Sequence, residues 1–249
     1  MRLFWHQLKA EQLTFWRSRE AAIFVFLFPP LLFVLLASVF GDGTRDGIPA
    51  GTYLVAGLIA YAVANTALGG LAIVLVIRRE FGILKRLRST PLPASLYLAV
   101  ALLSNLIVVV LQSAVVVVLG VWLFDAKLPE NWLAFVLALG LGAVAFAGLG
   151  LAIAALVRSG EAIAAAVNVL ILPMSFLSGS FGPANDLPGA LKLLRDVLPL
   201  HYLLQLVLDG YVRGADVWDR PKAIAVLAAW GAVGYIVARH RFGWEPRER

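Results

Sequence analysis

The chain has 249 residues, 61% of them hydrophobic and only 14% charged, with a net charge of +6 and no cysteine. Soluble domains are about 45–50% apolar and about 25% charged, so a single water-surrounded core cannot hide this much apolar surface and lipid must be the main solvent. The lack of cysteine excludes disulfides and thiolate metal sites, while cations gathered beside apolar runs point to lipid headgroups and membrane topology rather than nucleic acid.

Taken in chain order, residues 1–20 place Phe4, Leu8 and Phe15 on one helical face, with Trp5 and Trp16 alongside. Arg2, His6, Lys9 and Arg17 lie mostly elsewhere, although Gln12 and Arg19 interrupt the apolar face. The pattern predicts an amphipathic helix lying in the membrane interface. Uncharged runs follow at 21–40, 52–77, 94–124, 131–157 and 162–185, and a shorter one at 223–238 is flanked by Lys222 and Arg239. About 20 helical residues cross a bilayer core of roughly 30 Å, so the first five qualify directly. The sixth qualifies with help from its flanking cations, which can snorkel to the interfaces. Pro29-Pro30 inside the first run suit a kinked or split span better than a signal peptide. As one helix the third run would be about 46 Å long, so it should tilt or project into water.

Between the second and third runs stands a cationic island, residues 78–92, holding Arg78, Arg79, Lys85, Arg86 and Arg88 with a single acid, Glu80. Such a segment belongs in water. Read as a helix, it carries Glu80, Ile83, Leu84 and Leu87 on one side and Lys85 and Arg86 towards the other. The fourth run has small residues at four-residue spacing, Ala134, Ala138 and Gly142, then Gly148 and Ala152, which permit close packing within the chain or between copies. Pro173 should bend the fifth run near Asn168. Beyond it, Gly179, Gly182, Pro183, Asn185, Asp186, Pro188 and Gly189 break the chain. Leu187, Leu191, Leu194 and Leu198 then recur at helical spacing, and Leu200–Leu208 is too short to span. The segment 179–221 is therefore expected to form short helices in the outer leaflet.

The expected fold is an all-α integral membrane protein, one transmembrane domain over 1–249 with six spans. With both termini in the cytoplasm, that side gains the N-terminal cations, the island, Arg158, Arg239, Arg241, Arg247 and Arg249, while the two short opposite loops keep only Arg45 and Lys127. Polar residues inside the runs are Asn65, Thr66, Ser104, Asn105, Gln112, Ser113 and Asn168. Asn65, Asn105, Gln112 and Asn168 are candidates for a translocation path, and hydrogen bonding between neighbouring helices is the plainer alternative for each. No Asp, Glu, Lys or Arg lies in the interior of a run, which counts against ion-coupled transport. His6, His201 and His240 are scattered, so no metal site is expected. A phosphate-binding Gly-x-x-x-x-Gly-Lys-(Ser/Thr) loop is absent, and so is any nucleophile with a His partner.

The stretch Glu80-Phe81-Gly82-Ile83-Leu84-Lys85-Arg86-Leu87-Arg88-Ser89-Thr90-Pro91-Leu92 resembles the cytoplasmic loop of type-2 permeases of ATP-binding-cassette (ABC) exporters. Ile83 stands where threonine is common. The likeness extends over the chain and is nearest to the drug and antibiotic-resistance branch. It implies that Glu80, Gly82, Ile83, Leu84, Lys85, Arg86, Leu87, Arg88, Thr90 and Pro91 form a coupling element for an ABC ATPase, with Thr90-Pro91 opening the third span. It further implies two copies of that ATPase carrying ATP and Mg, a second permease subunit as dimer partner, no cofactor on this chain, and a multi-pass place in the cell membrane. The expected function is the membrane subunit of an ATP-driven exporter of an amphipathic small molecule, drug or lipid-like cargo. A polysaccharide or glycolipid exporter, or a scaffold that recruits a soluble partner, are the alternatives.

Overall fold

A computed structural model describes residues 2–41, 43–45, 47–90, 92–182 and 188–243. Among the described residues the chain is helical almost throughout, and six helices are long and apolar enough to cross a membrane. Helix α1 (Arg2–Arg17) precedes span one, α2 (Arg19–Phe40). A two-stranded hairpin, β1 (Thr44–Arg45) with β2 (Ile48–Pro49), leads into span two. That span joins α3 (Ala50–Ala64) and α4 (Leu71–Glu80) through a π-helical turn, Asn65–Gly70. A short helix, α5 (Ile83–Arg88), then precedes span three, α6 (Ala94–Phe124). Spans four and five are α7 (Trp132–Leu156) and α8 (Gly160–Ser178). The short α9 (Gly189–Arg195) and α10 (Pro199–Leu208) come before span six, α11 (Pro221–Arg241).

Span two is the centre. Every residue of α3 is buried, and spans one, three, four and five all pack against span two. Span six packs along span four and against α10. The small residues of span four make this possible within one chain. A Cβ on Gly148 would sit 2.6 Å from the Gly231 carbonyl oxygen, and one on Gly234 only 2.4 Å from Gly148 backbone. Gly142 instead admits Leu203 of α10, 2.5 Å from where a Cβ would stand. Hydroxyl and amide caps start the helices: Asn131 Oδ1 accepts the Ala134 N–H of α7 at 3.0 Å, and Ser159 Oγ the Ala162 N–H of α8 at 3.3 Å.

Several boundaries differ from the sequence reading. Span one is a single unbroken helix through Pro29 and Pro30. Span five stops at Ser178, where Gly179 takes a left-handed φ of +87°, so the apolar run to 185 overstates it; residues 183–187 lie outside the described residues. Span three begins at Ala94 behind Pro93. Thr90 therefore closes α5 rather than opening span three: its Oγ1 donates to the Leu87 carbonyl at 2.6 Å, as Ser89 Oγ does to Arg86 at 2.7 Å.

Candidate functional site

The loop after span two is built as a turn and one short helix. Gly82 has φ +68°, which lets the chain leave α4 and restart as α5 at once. The apolar side of α5 divides in two. Leu84 is fully buried in the chain's own core and Leu87 is half-buried, whereas Phe81 is 73% and Ile83 42% exposed. Leu84 thus anchors the helix on the bundle and is not free to meet a partner. The available surface is Phe81 and Ile83 with the exposed Lys85 and Arg86. Arg88 completes the helix backbone, and Pro91 lies outside the described residues.

Three consecutive side chains at the end of span two are engaged with the bundle. The Arg78 guanidinium donates two parallel hydrogen bonds to the Glu11 carboxylate of α1, both 2.7 Å, and a third of 2.7 Å to the Tyr97 hydroxyl of span three. Arg79, only 1% exposed, donates to the Ala154 carbonyl at 2.8 Å and to the Val157 carbonyl at the end of span four. Those carbonyls lie where a helix runs out of its own donors, so the cation caps the α7 C-terminus. Glu80 is exposed, and its carboxylate accepts the Gly160 N–H at the start of span five, 3.0 Å away. The cationic island is accordingly divided: Arg78 and Arg79 are structural, while Lys85 and Arg86 face outwards. Near Arg78, Gln12 of α1 donates to both the carbonyl and the Oγ of Ser104, at 3.0 and 2.9 Å. The break in the apolar face of α1 is therefore a specific tie to span three.

Three of the four candidate path residues gather at the π-helical turn of span two, where Gln112 and Asn105 both bond Thr66 and Asn65 is its neighbour, while Asn168 is on span five. Gln112 is buried, accepts from Thr66 Oγ1 at 2.9 Å and donates to the Val25 carbonyl at 2.6 Å. Residue 29, four beyond Val25, is a proline with no N–H, so Gln112 supplies the donor that span one lacks. Asn105 donates to the Thr66 carbonyl in the π-helical turn at 3.0 Å, its Oδ1 being buried without a partner. It lines an apolar groove of about 220 Å³ between spans three and four. Asn65 is half-buried in the same π-helical turn, and Asn168 stands exposed on span five beside Val169 and Leu172. Gln112 and Asn105 do what interhelical polar groups ordinarily do.

A second polar cluster, at the opposite end of the bundle, escaped the sequence reading. Asp209, buried just beyond α10, is paired with Arg213 at 2.6 Å and with Arg220. Arg220 also reaches Gln205 Oε1 at 3.4 Å, Gln205 Nε2 lies 2.8 Å from His201 Nε2, and His201 Nδ1 lies 3.5 Å from the Ser178 carbonyl. A neutral ring protonated at Nδ1 fits this chain of bonds. Burial, and then the nearby Arg195 and Arg220, lower the His201 pKa below its ordinary value. The spacing His201, Gln205, Asp209 was the available signal, since it sets three polar groups on one helical face.

A six-span helical membrane protein, with an exposed amphipathic helix hung from its central span, is the class defined by this arrangement. Residues 2–212 match the ABC-2 type transporter family, and the chain belongs to that family. It is 22% identical over 241 residues to YvfS of Bacillus subtilis (strain 168), named as a transport permease, a match covering 96% of this chain and 97% of that protein. It is 24% identical over 167 residues to YbhR of Escherichia coli (strain K12), named as a multidrug ABC transporter permease, across 66% of this chain and 45% of that one. With Nodulation protein J of Rhizobium meliloti (strain 1021) it shares 35% identity over 80 residues, 31% of this chain and 30% of the other. The protein is thus a multi-pass membrane permease subunit of an ABC transporter, and membership implies an ABC ATPase as partner.

Proposed function

We propose that the chain is the membrane subunit of an ATP-driven exporter for an amphipathic small molecule or lipid-like cargo. It works in the cell membrane as a homodimer with two ATPase subunits, both termini on the cytoplasmic side. The observation that carries this reading is α5, a helix exposing Phe81, Ile83, Lys85 and Arg86 directly below the most enclosed span. An apolar pair ringed by cations suits a cleft with an apolar floor and acidic rim on the partner ATPase. Coupling assigned to Glu80, Gly82, residues 83–88, Thr90 and Pro91 rests on this surface, with Leu84 as its anchor. Cargo without fixed charge suits spans whose interior polar groups are amides and hydroxyls, and the multidrug name of YbhR favours a small-molecule cargo. Asn168, exposed on span five between Ala164, Ala165 and Leu172, favours a protein-facing or water-facing side for that helix rather than lipid. Family membership favours transport over the scaffold alternative.

The test is purification of the tagged chain with its ATPase co-expressed, followed by mass spectrometry of the complex. A nucleotide-binding chain should co-purify in equal amount and be lost with the double variant Phe81→Asp, Ile83→Asp, while the permease stays monodisperse. Full retention of the ATPase by that variant would refute α5 as the docking helix.

A further inference from the structure

The three residues before the coupling turn form a hub. Arg78, Arg79 and Glu80 project in three directions, as successive positions about 100° apart on a helix must. Each fastens the end of span two to a different neighbour. Arg78 holds α1 and span three through Glu11 and Tyr97, Arg79 holds span four through Ala154 and Val157, and Glu80 holds span five through Gly160.

The three ties differ in kind. Arg78 and Glu11 are a two-bond ion pair with side chains only 15% and 10% exposed. Arg79 is enclosed, and to leave its carbonyls it would strand a buried guanidinium. Such ties are costly to break. Among the described residues Glu80 accepts a single hydrogen bond, from a backbone amide, and the residue is open to water. Water can replace that bond at little cost. Its geometry is nonetheless specific: Gly160 leaves the carboxylate room, since a Cβ there would lie 3.0 Å from Glu80 Oε2 and 3.5 Å from Ile77 Cγ1.

The order along the chain gives the difference a consequence. All three ties precede Gly82, so a displacement of α5 is passed back along span two to this hub as well as directly through buried Leu84. After α5 the hydroxyls of Ser89 and Thr90 bond back to α5 itself. We propose that Glu80 is a positioning residue, a releasable latch between the end of span two and the start of span five. Spans two, three and four with α1 move as one body, and span five is the element let go and recaptured. The inference rests on α5 being the ATPase-docking helix only for its link to transport; the latch itself is a property of this chain.

The chain has no cysteine, so pairs of spin labels can be placed without background. Two exposed-site pairs, Val74→Cys with Ala165→Cys and Val74→Cys with Leu156→Cys, report span two against spans five and four in lipid nanodiscs. Pulsed electron resonance should give a Val74–Ala165 distance distribution at least twice as wide in Glu80→Ala as in the parent, with the Val74–Leu156 distribution unchanged. Glu80→Gln, whose amide oxygen still accepts the Gly160 N–H, should restore the parent width. An unchanged Val74–Ala165 distribution, equal broadening of both pairs, or failure of Gln to restore it would each overturn the latch. Binding of the ATPase is scored separately on Glu80→Ala. If no ATPase binds even the parent chain, the docking assignment fails while the distance result still decides the latch.

Discussion

Gln112 serves span one more than it serves any passage through the protein. Its amide donates to the carbonyl that Pro29 leaves without a donor, and Thr66 holds its oxygen. Gln112→Leu should therefore cost about 0.6–2 kcal/mol, the range for hydrogen bonds between membrane helices. In a Pro29→Ala background the backbone N–H regained at position 29 can take the Val25 carbonyl, and the loss from Gln112→Leu should shrink. A double-mutant cycle by denaturant titration in micelles measures that coupling, and additive losses would refute the pairing. Gln112 and Pro29 were each legible in the sequence as features needing an explanation. Their pairing was not, because it depends on the register of two helices 87 residues apart at the bonded positions. Leu84 shows the same limit. Periodicity put it on the apolar side of α5 but not which part of that side the bundle would occupy.

At the scale of elements, the six spans and the loop after span two were readable because uncharged runs of about 20 residues have few other uses. What composition left out was who packs on whom. The glycines of span four turned out to receive span six, with Gly148 and Gly234 bringing the backbones into contact. Gly234→Val adds bulk where Gly148 backbone would lie 2.4 Å away, so the helices must part. A cost of about 1–3 kcal/mol is expected for such overpacking, which lowers Tm by roughly 2–4 °C per kcal/mol in a chain of this size. The comparison is Gly140→Val on span four, where a Cβ meets nothing within 4 Å. Equal melting temperatures for the two variants would contradict the crossing.

Across the whole molecule, the two ends of the bundle carry different chemistry. The end at α5 is fastened by Arg78, Arg79 and Glu80; the other is held by Asp209 with its two arginines and by His201. The sign of the pH effect follows from the lowered His201 pKa. Above its unfolded value of about 6.5 the neutral ring's contribution to stability is complete, and it is lost as pH falls through the lower folded value. Thermal stability should thus decline as pH falls below about 6.5, and His201→Gln should lose that part of the decline while keeping the rest. An identical pH profile in the variant would remove His201 from the account. Arg79 carries a different consequence, one for biosynthesis. Its acceptors are made 75 and 78 residues after it. At about 5–20 residues per second, the guanidinium waits roughly 4–15 seconds for span four. Until then the cation needs other acceptors, so the end of span two can complete its packing only after span four has been made.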